Sequence, residues 1–556
     1  MVKYVFVTGG VVSGLGKGVV TASIAKLFQF RGLNVDVIKM DPYLNVDPGT
    51  LNPIEHGEVF VCDDVWEFEP APGYRFRIAE VDQDFGTYER FLDKNMHPSN
   101  NITSGQVYLS VILRERVGEY LGKTIQVIPH ITGEIKQRIR AVAQRNNPDA
   151  LLIEVGGTVG DIEAMPFLEA IRQLRLEEGV GNTALIHVTL VPFLETVGQF
   201  KTKPTQHSVK VLQSSGLQPD IIIGRSMGEL TQDVREKIGL FCNVPVEAVI
   251  SDPDLDVIYE LPLRFESQGL GDYLCKILRL DVGRDEGALK AWREVVNLYT
   301  SAEGEVAVLM PGKYTLIQDS YISINMALDH AGAFNGIRVR RTYLDTELYE
   351  RDSKKFYDLL ESSDGILLTP GFGSRGVEGM IEAARYALKN DKPFLGICFG
   401  CQLLFIAFAR EVLGLGDANS TEIDPGTRHP VVDLLPEQRC EKVLGGTMRL
   451  GAHPIRILKD TKLYEAYRSE LVYERFRHRY HLNPNYVKSA EQKGLKISAT
   501  DVEGKMVNAI EIVGKKWIVG VQFHPEFKSR PYRPSPVYYS FIRELIVKKS
   551  AGDGRQ

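Results

Sequence analysis

The sequence predicts two α/β units joined in one chain, each built on a mostly parallel β-sheet covered by helices. Three observations carry that prediction. The 556 residues exceed what a single hydrophobic core normally serves. Short β-branched runs alternate with longer amphipathic stretches, the pattern of buried strands linked by helical crossovers. Two strand-like runs pass directly into glycine-bracketed turns that open helical patterns, at Thr8 to Gly18 and again at Gly396 to Gln402.

In the first half the expected strands are Tyr4–Val7, Val35–Met40, Ile125–Ile128, Leu151–Val155, Ala184–Leu190 and Ile221–Ile223. Between Ala288 and Glu305 the chain turns polar and helical without a strong apolar face, which suits a connector. A second series then begins, with strands at Val306–Met310, Ile337–Tyr343, Gly365–Thr369, Phe394–Ile397, Val507–Ile512 and Trp517–Phe523. Its helices are expected near Ser320–His330, Gly376–Asn390 and Gln402–Val412. The resulting division is a first domain over 1–280, a linker over 281–300, a second domain over 301–546 and a frayed polar tail over 547–556.

A formal charge of −6 and a pI near 6.1 give no basic excess for nucleic acid or an anionic membrane, so neither partner is expected. No apolar run approaches membrane-spanning length, and Met1 to Val12 lacks a small-residue cleavage site, so a cytoplasmic location is expected. Six cysteines (Cys62, Cys242, Cys275, Cys398, Cys401 and Cys440) are too sparse for a disulfide framework. Most are expected to be buried thiols.

The run Thr8-Gly9-Gly10-Val11-Val12-Ser13-Gly14-Leu15-Gly16-Lys17-Gly18 reads as a nucleotide loop. Glycines let backbone N–H groups converge on phosphate oxygens, the helix start adds a positive partial charge and Lys17 supplies a full one. The run departs from G-x-x-x-x-G-K-[ST], since Gly10 is one residue too far from Gly16 and Gly18 replaces the metal-binding hydroxyl. Magnesium must then be held by carboxylates elsewhere. Glu154, at the end of an apolar strand, and Asp84, in a loop-like acidic cluster, are the candidates. Further polar clusters follow other expected strands at Lys39 to Tyr43, Gly160 to Glu163 and Lys201 to His207, the rim where open α/β sheets bind ligands. Lysines there suit triphosphates, and Asp161 with Glu163 suits sugar hydroxyls.

Cys398 stands between Gly396 and Gly400 where a strand becomes a helix, a sharp turn that exposes a nucleophile and favours the thiolate. The last expected strand delivers His524-Pro525-Glu526. Histidine can take the thiol proton and later protonate the leaving amine, while Glu526 orients the ring. Cys398, His524 and Glu526 are the expected triad. The rival is a redox pair made by the C-x-x-C spacing of Cys398 and Cys401.

The combined text resembles the CTP synthases over nearly the whole chain. The stretches that carry the resemblance include Val7 to Ser13, Leu15 to Gly18, Asp41 to Thr50, Gly156 to Glu163, Lys201 to Ser208, Gly396 to Gln402, Asn419 to Glu422, Gly446 to Gly451, Arg477 to Tyr480 and Gln522 to Phe527. The resemblance implies an N-terminal P-loop-type parallel-sheet synthetase domain plus a C-terminal class I glutamine amidotransferase α/β domain. It implies that ATP phosphorylates the 4-oxygen of UTP and that ammonia from glutamine displaces the phosphate. By position, Ser13, Gly14, Leu15, Gly16, Lys17, Gly18, Lys39, Asp161, Ile162, Glu163, Lys201, Lys203, Gln206, Arg225 and Lys237 would bind nucleotides, with Lys17 also catalytic. Asp84 and Glu154 would hold Mg2+, and Gly371, Phe399, Gln402, Glu422 and Arg479 would bind glutamine. GTP as activator, CTP as feedback inhibitor, a homotetramer and filaments are implied as well.

Two departures from the family pattern stand out. Val65 to Val81 is longer than the family's segment, so an inserted flap there is placed to alter oligomer contacts or cover the site. Thr369-Pro370-Gly371-Phe372-Gly373 replaces the usual P-G-G-F-G, which puts proline where an oxyanion-hole N–H would be. The expectation is that the Gly371 N–H serves in its place, beside that of Phe399. Two rivals remain at this stage: an amidoligase for corrin carboxylates, and a filament protein with a decayed amidase.

Overall fold

The computed structural model describes residues 2–314, 318–439, 441 and 444–553. Cys440 lies outside them. The chain forms two compact units, Met1–Pro48 with Trp66–Asn297, and Gly49–Val65 with Leu298–Gln556. A simple cut near residue 290 therefore misses the short segment 49–65, which belongs with the second unit.

The first unit is organised on a seven-stranded sheet in the order Val249–Pro253, Ile221–Ser226, Thr183–Leu190, Lys3–Gly9, Ala150–Val155, Val35–Asp41 and Asn101–Thr103. All of its pairings are parallel. Lys3–Gly9 runs VFV between glycine and lysine ends and is buried along nearly its whole length, as a strand covered on both faces must be. The helix Lys17–Gln29 follows at once, with Gly16 as its left-handed N-cap at φ 79°. Val11, a β-branched residue, takes φ 79° in the loop between them, a conformation that costs free energy and is held by its surroundings.

Four expectations need correction here. Ile125–Ile128 is not a strand: Val127–Ile131 forms a single helical turn, because Pro129 has no N–H to give a sheet ladder. Asp84 is not in a loop but opens the helix Asp84–Leu92. The connector is the helix Glu286–Thr300, and it does have an apolar face, with Leu289, Trp292, Val295 and Val296 buried. Trp292 packs on Phe91 and Tyr259, and its Nε1–H donates to the Tyr259 carbonyl at 2.8 Å. Residues 547–553 of the polar tail are likewise helical, as part of the helix Pro536–Asp553.

The inserted stretch is a two-stranded ribbon, Phe60–Ala71 with Tyr74–Val81. It closes on Pro72-Gly73, where proline presets one dihedral and Gly73 takes φ 87°. Trp66, Phe68 and Phe76 line one face, with centroids 4.9 and 6.1 Å apart. Glu67–Arg77 and Glu69–Arg75 pair across the other. Arg138 stacks on Phe68 at 4.9 Å and Arg114 donates to the Pro70 carbonyl at 3.2 Å. The ribbon is thus held down on the helices Ser104–Arg116 and Thr132–Asn146 rather than hanging free as a flap.

The second unit carries a nine-stranded sheet in the order Arg338–Asp345, Glu305–Gly312, Gly365–Leu368, Phe394–Ile397, Ile518–Val521, Val507–Ile512, Leu495–Asp501, Arg449–Ile457 and Leu471–His478. Its first five strands are parallel and the remainder antiparallel. Two apolar layers cover it. One centres on the helices Val377–Asn390 and Phe399–Glu411, the other on Ile322–Phe334 and Pro536–Asp553.

Within this unit the segment 49–65 is pinned by Arg475, whose side chain is fully buried. Its Nε donates to Asp63 at 2.5 Å, Nη1 to the Val61 carbonyl at 2.9 Å, and the guanidinium lies over Phe60 at 5.2 Å. The neighbouring Glu474 is buried, and burial pushes its carboxyl up to about 7 against the opposing Tyr467 hydrogen bond at 2.6 Å and the charges of Lys528 and Arg475. Between an unfolded value near 4.5 and this folded value the native state binds the extra proton, so stability falls as pH rises through that window. Glu474→Gln should therefore raise the unfolding midpoint at pH 8, by the equivalent of roughly 1–3 kcal/mol, and change little at pH 4. Equal shifts at both pH values in thermal melts would refute this.

Candidate functional site

In the first unit the phosphate loop, Asp41 and Gly156-Gly157 all follow the carboxyl ends of adjacent parallel strands. The Lys17 side chain crosses Gly9, where a Cβ would stand 2.6 Å from its Cδ, and Nζ donates to the Gly157 carbonyl at 2.8 Å. Burial lowers its value, with Glu154 opposing. Gly18 abuts Asp84: any Cβ there would collide with the Asp84 carboxylate. The residue that departs from the common phosphate-loop pattern is thus the one that lets this carboxylate reach the loop.

Lys39 and Glu154 are register partners on neighbouring strands. The Lys39 ammonium donates to Glu154 at 2.9 Å and to Asp84, with Asp82 3.8 Å away. Burial alone would lower Lys39, but Asp84, Glu154 and Asp82 hold it well above the usual lysine range. Tyr88 donates to the other Glu154 oxygen at 2.5 Å. Burial raises Asp41 to about 6 despite the charge of Lys39 and a 2.8 Å bond from Asn101. Lys39 thus serves this carboxylate cluster directly, a role that the expected phosphate contact did not include.

The other expected nucleotide residues fall in four places. Leu15, Gly16 and Arg225 line one cavity of about 360 Å³ with Val19, Asp252 and Leu261. Arg225 pairs with Asp252 at 3.2 Å and Asp254 at 2.7 Å, and burial raises Asp252 to about 6. Ser13 and Gly14 are exposed on the loop. Asp161, Ile162 and Glu163 lie exposed after Gly160, with Asp161 accepting from the Thr158 N–H at 2.7 Å. Lys203 opens the helix Lys203–Ser214 and stacks over Phe241 at 5.6 Å, on the same helix as Lys237. Lys201 reaches Gln199 at 3.2 Å, and Gln206 is buried, donating to Thr202 at 3.0 Å. His187 escaped the sequence reading. It bridges Thr8 at 2.9 Å and Ser208 at 2.7 Å directly beneath Gly10, joining the phosphate loop to that helix.

In the second unit Cys398 has φ 52° and ψ −101°, the strained backbone of a nucleophile elbow. Gly400 abuts the Leu368 carbonyl and Gly396 the Gly400 carbonyl, so both bracketing glycines permit close backbone approach. His524 Nδ1 meets Glu526 Oε1 at 2.7 Å. Burial would depress His524, but Glu526 and Cys398 outweigh it and hold the imidazole at about 10. Its Nε2 is buried, and Cys398 is the group acting on the ring besides Glu526. Gln522 Nε2 lies 3.6 Å from Cys398 Sγ. Cys401 points instead into the core, where a Cβ on Gly520 would stand 2.9 Å from its sulfur, and burial raises its thiol far above the ordinary range. Cys398 and Cys401 are both free thiols in this structure.

A cavity of about 520 Å³ beside the sulfur is lined by Glu58, Val59, Gly371, Phe372, Cys398 and His524 among others. The Gln402 amide donates to the Tyr480 carbonyl at 2.8 Å and to Gln522 at 3.1 Å, leaving its Oε1 buried and unpartnered. Glu422 accepts from the Gly373 N–H at 2.7 Å. Arg479 holds Gln438 at 2.5 Å and the Leu444 carbonyl.

A phosphate cradle with clustered carboxylates on one sheet, and a cysteine elbow with a Cys-His-Glu relay on the other, define an amidotransferase class: an amidohydrolase fused to a nucleotide-dependent synthetase. Residues 3–280 match the family model described as CTP synthase N-terminus, and residues 316–544 match glutamine amidotransferase class-I. The CTP synthase of Pyrococcus furiosus is 53% identical over 98% of both chains, and that of Caldanaerobacter subterraneus 50% identical over 99% of both. Among solved structures, the Trypanosoma brucei CTPS glutaminase domain with bound acivicin is 35% identical over 44% of this chain and 94% of that one, with a TM-score of 0.42. The chain belongs to the CTP synthase family, glutamine-hydrolysing ligases of pyrimidine nucleotide biosynthesis.

Proposed function

We propose that the chain converts UTP to CTP with ATP and with ammonia taken from glutamine, and that the residues named above carry the steps. The Cys398–His524–Glu526 geometry carries the reading of the second unit most directly. Cys398 Sγ attacks the glutamine amide carbon, the Gly371 and Phe399 N–H groups receive the oxyanion, and His524 protonates the departing ammonia. Neither N–H has a protein acceptor among the described residues. Water then cleaves the thioester to glutamate. The unpartnered Gln402 Oε1 and the Glu422 carboxylate supply acceptors for the substrate, and Arg479 is assigned to it on family resemblance.

In the first unit the UTP 4-oxygen attacks the ATP γ-phosphorus, ADP leaves, and ammonia then displaces phosphate from carbon 4. Lys17 carries the positive charge nearest the phosphate loop. The apolar cavity ending in Arg225 and Asp252 suits a planar base with a hydrogen-bonding edge, which assigns it to adenine. Lys201, Lys203, Gln206, Lys237, Asp161 and Glu163 are assigned to the pyrimidine nucleotide, whether substrate UTP or inhibitory CTP.

Asp84 and Glu154 converge on one cation, the Lys39 ammonium, and offer only oxygen, so the pair fits Mg2+ held by two carboxylates with water and phosphate. Bound there, the ion would neutralise charge developing on the transferred phosphoryl group. Among the described residues no helix is long and apolar enough to cross a membrane. A cytoplasmic homotetramer, GTP activation, filament assembly and the 1–280, 281–300 and 301–546 boundaries complete the proposal on family resemblance alone.

Product analysis with UTP, ATP and either nitrogen donor tests the reading. CTP is expected from both donors, with glutamine-driven turnover within about tenfold of the ammonia-driven rate if the Gly371 N–H compensates for Pro370, since losing one oxyanion donor costs ~10²–10³. No CTP from free ammonium would remove the synthetase assignment.

A further inference from the structure

Pro370 deprives the loop 369–373 of one amide donor, so the anchors that orient the next one decide whether an oxyanion hole exists. The loop is tied at its start, where the Thr369 N–H and hydroxyl both reach the Pro311 carbonyl at 3.3 and 3.1 Å. Beyond the turn, the Gly373 N–H is taken by Glu422 at 2.7 Å. Gly371 lines the cavity that holds Cys398, and its N–H has no backbone acceptor among the described residues.

Lys313 closes this arrangement from behind. It directly follows the strand Glu305–Gly312 and is 4% exposed. Its ammonium donates to the Phe372 carbonyl at 3.0 Å and to that of Gly373, and lies 4.5 Å from the centroid of the Phe399 ring. Its stem runs along Gly371, where a Cβ would stand 3.4 Å away. A buried ammonium is costly unless hydrogen-bonded, so the cation and the two carbonyls fix one another. Phe399 supplies the second oxyanion donor, and the same cation therefore touches both sides of the hole.

We infer that Lys313 is a positioning residue for glutamine hydrolysis, holding the loop 371–373 against Phe399 with the Gly371 N–H turned toward the cysteine. The inference rests on the amidohydrolase reading above. Lys313 contacts neither sulfur nor imidazole and acts through the loop alone. The groups facing its ammonium are Glu422, Arg375 and the Phe399 ring, besides the two carbonyls. Burial lowers it to about 8, with Glu422 opposing and Arg375 adding to the effect.

Lys313→Met keeps the stem and removes the donors, whereas Lys313→Arg keeps a permanent charge. With Met, glutamine-driven kcat should fall at least 30-fold with KM for glutamine changed less than threefold, and ammonia-driven CTP formation should stay within twofold. Alkylation of Cys398 by iodoacetamide, which builds no oxyanion, should keep its wild-type rate. Arg should recover at least a third of kcat and should lack the decline of wild-type glutaminase between pH 7.5 and 9 that loss of the lysine proton produces. Unchanged kcat in the Met variant, slowed alkylation, or an unaltered pH profile in the Arg variant overturns the inference. Glutamate release reads all of this without the synthetase step, so a failure to make CTP would count against the UTP assignment and leave the test of Lys313 standing.

Discussion

Cys398→Ala is expected to abolish glutamine-driven CTP formation, by a factor on the order of 10⁵ or more, and to leave ammonia-driven formation within about twofold. Removing a nucleophile leaves only the oxyanion donors and binding to help water, and no other described thiol reaches the relay, since Cys401 faces the core at Gly520. The substitution should spare the fold: the sulfur's hydrogen-bond contacts are weak, at 3.6 Å to the Arg477 carbonyl and 3.6 Å from Gln522. Free ammonium bypasses the sulfur altogether. Product formation followed by absorbance, with glutamine and with ammonium chloride in parallel, makes the comparison. Glutamine use surviving in the variant would transfer the nucleophile to another residue.

Lys17→Ala should remove both routes, by roughly 10³-fold or more, because the ATP-dependent step is common to them. The ammonium lies within the glycine cradle, 2.8 Å from the Gly157 carbonyl, and the nearby Lys39 is committed to Glu154 and Asp84. Glutamate release should persist, since the amidohydrolase has its own relay. Loss of glutamate release as well would point to general damage, and retained CTP synthesis would mean that Lys17 holds backbone and not phosphate.

Both halves of the chemistry were legible in the sequence because each is local. Cys398 with its bracketing glycines, His524 two positions from Glu526, and the run from Thr8 to Gly18 all spell their geometry within a few residues. The parallel strands were legible too, as β-branched runs such as Leu151–Val155 are buried on both faces. The antiparallel strands Arg449–Ile457 and Leu471–His478 were not, since RLGAHPIRI and LVYERFRH mix charge into their outer faces and give no continuous apolar run. Asn101–Thr103 is three residues long, too short for any period. Trp292 was read as part of a polar connector because the charged Lys290, Arg293 and Glu294 stand between the buried Leu289, Trp292, Val295 and Val296 and mask their spacing. Lys39, Tyr88, His187, Lys313 and Arg475 acquire their meaning only from residues distant in the chain, and nothing in their neighbours announces it.

The strap formed by 49–65 bears on how freely such halves can be traded during evolution. Deleting everything before residue 298 would strip the hydrolase of Asp63 and the Val61 carbonyl, two partners of the buried Arg475 guanidinium, and would take Phe60 from its edge contact with Phe527 at 5.0 Å, one residue past the relay carboxylate. A cassette cut at the apparent seam would thus lose support directly beside its own relay. Shuffling at that point is penalised, and the pair descends together.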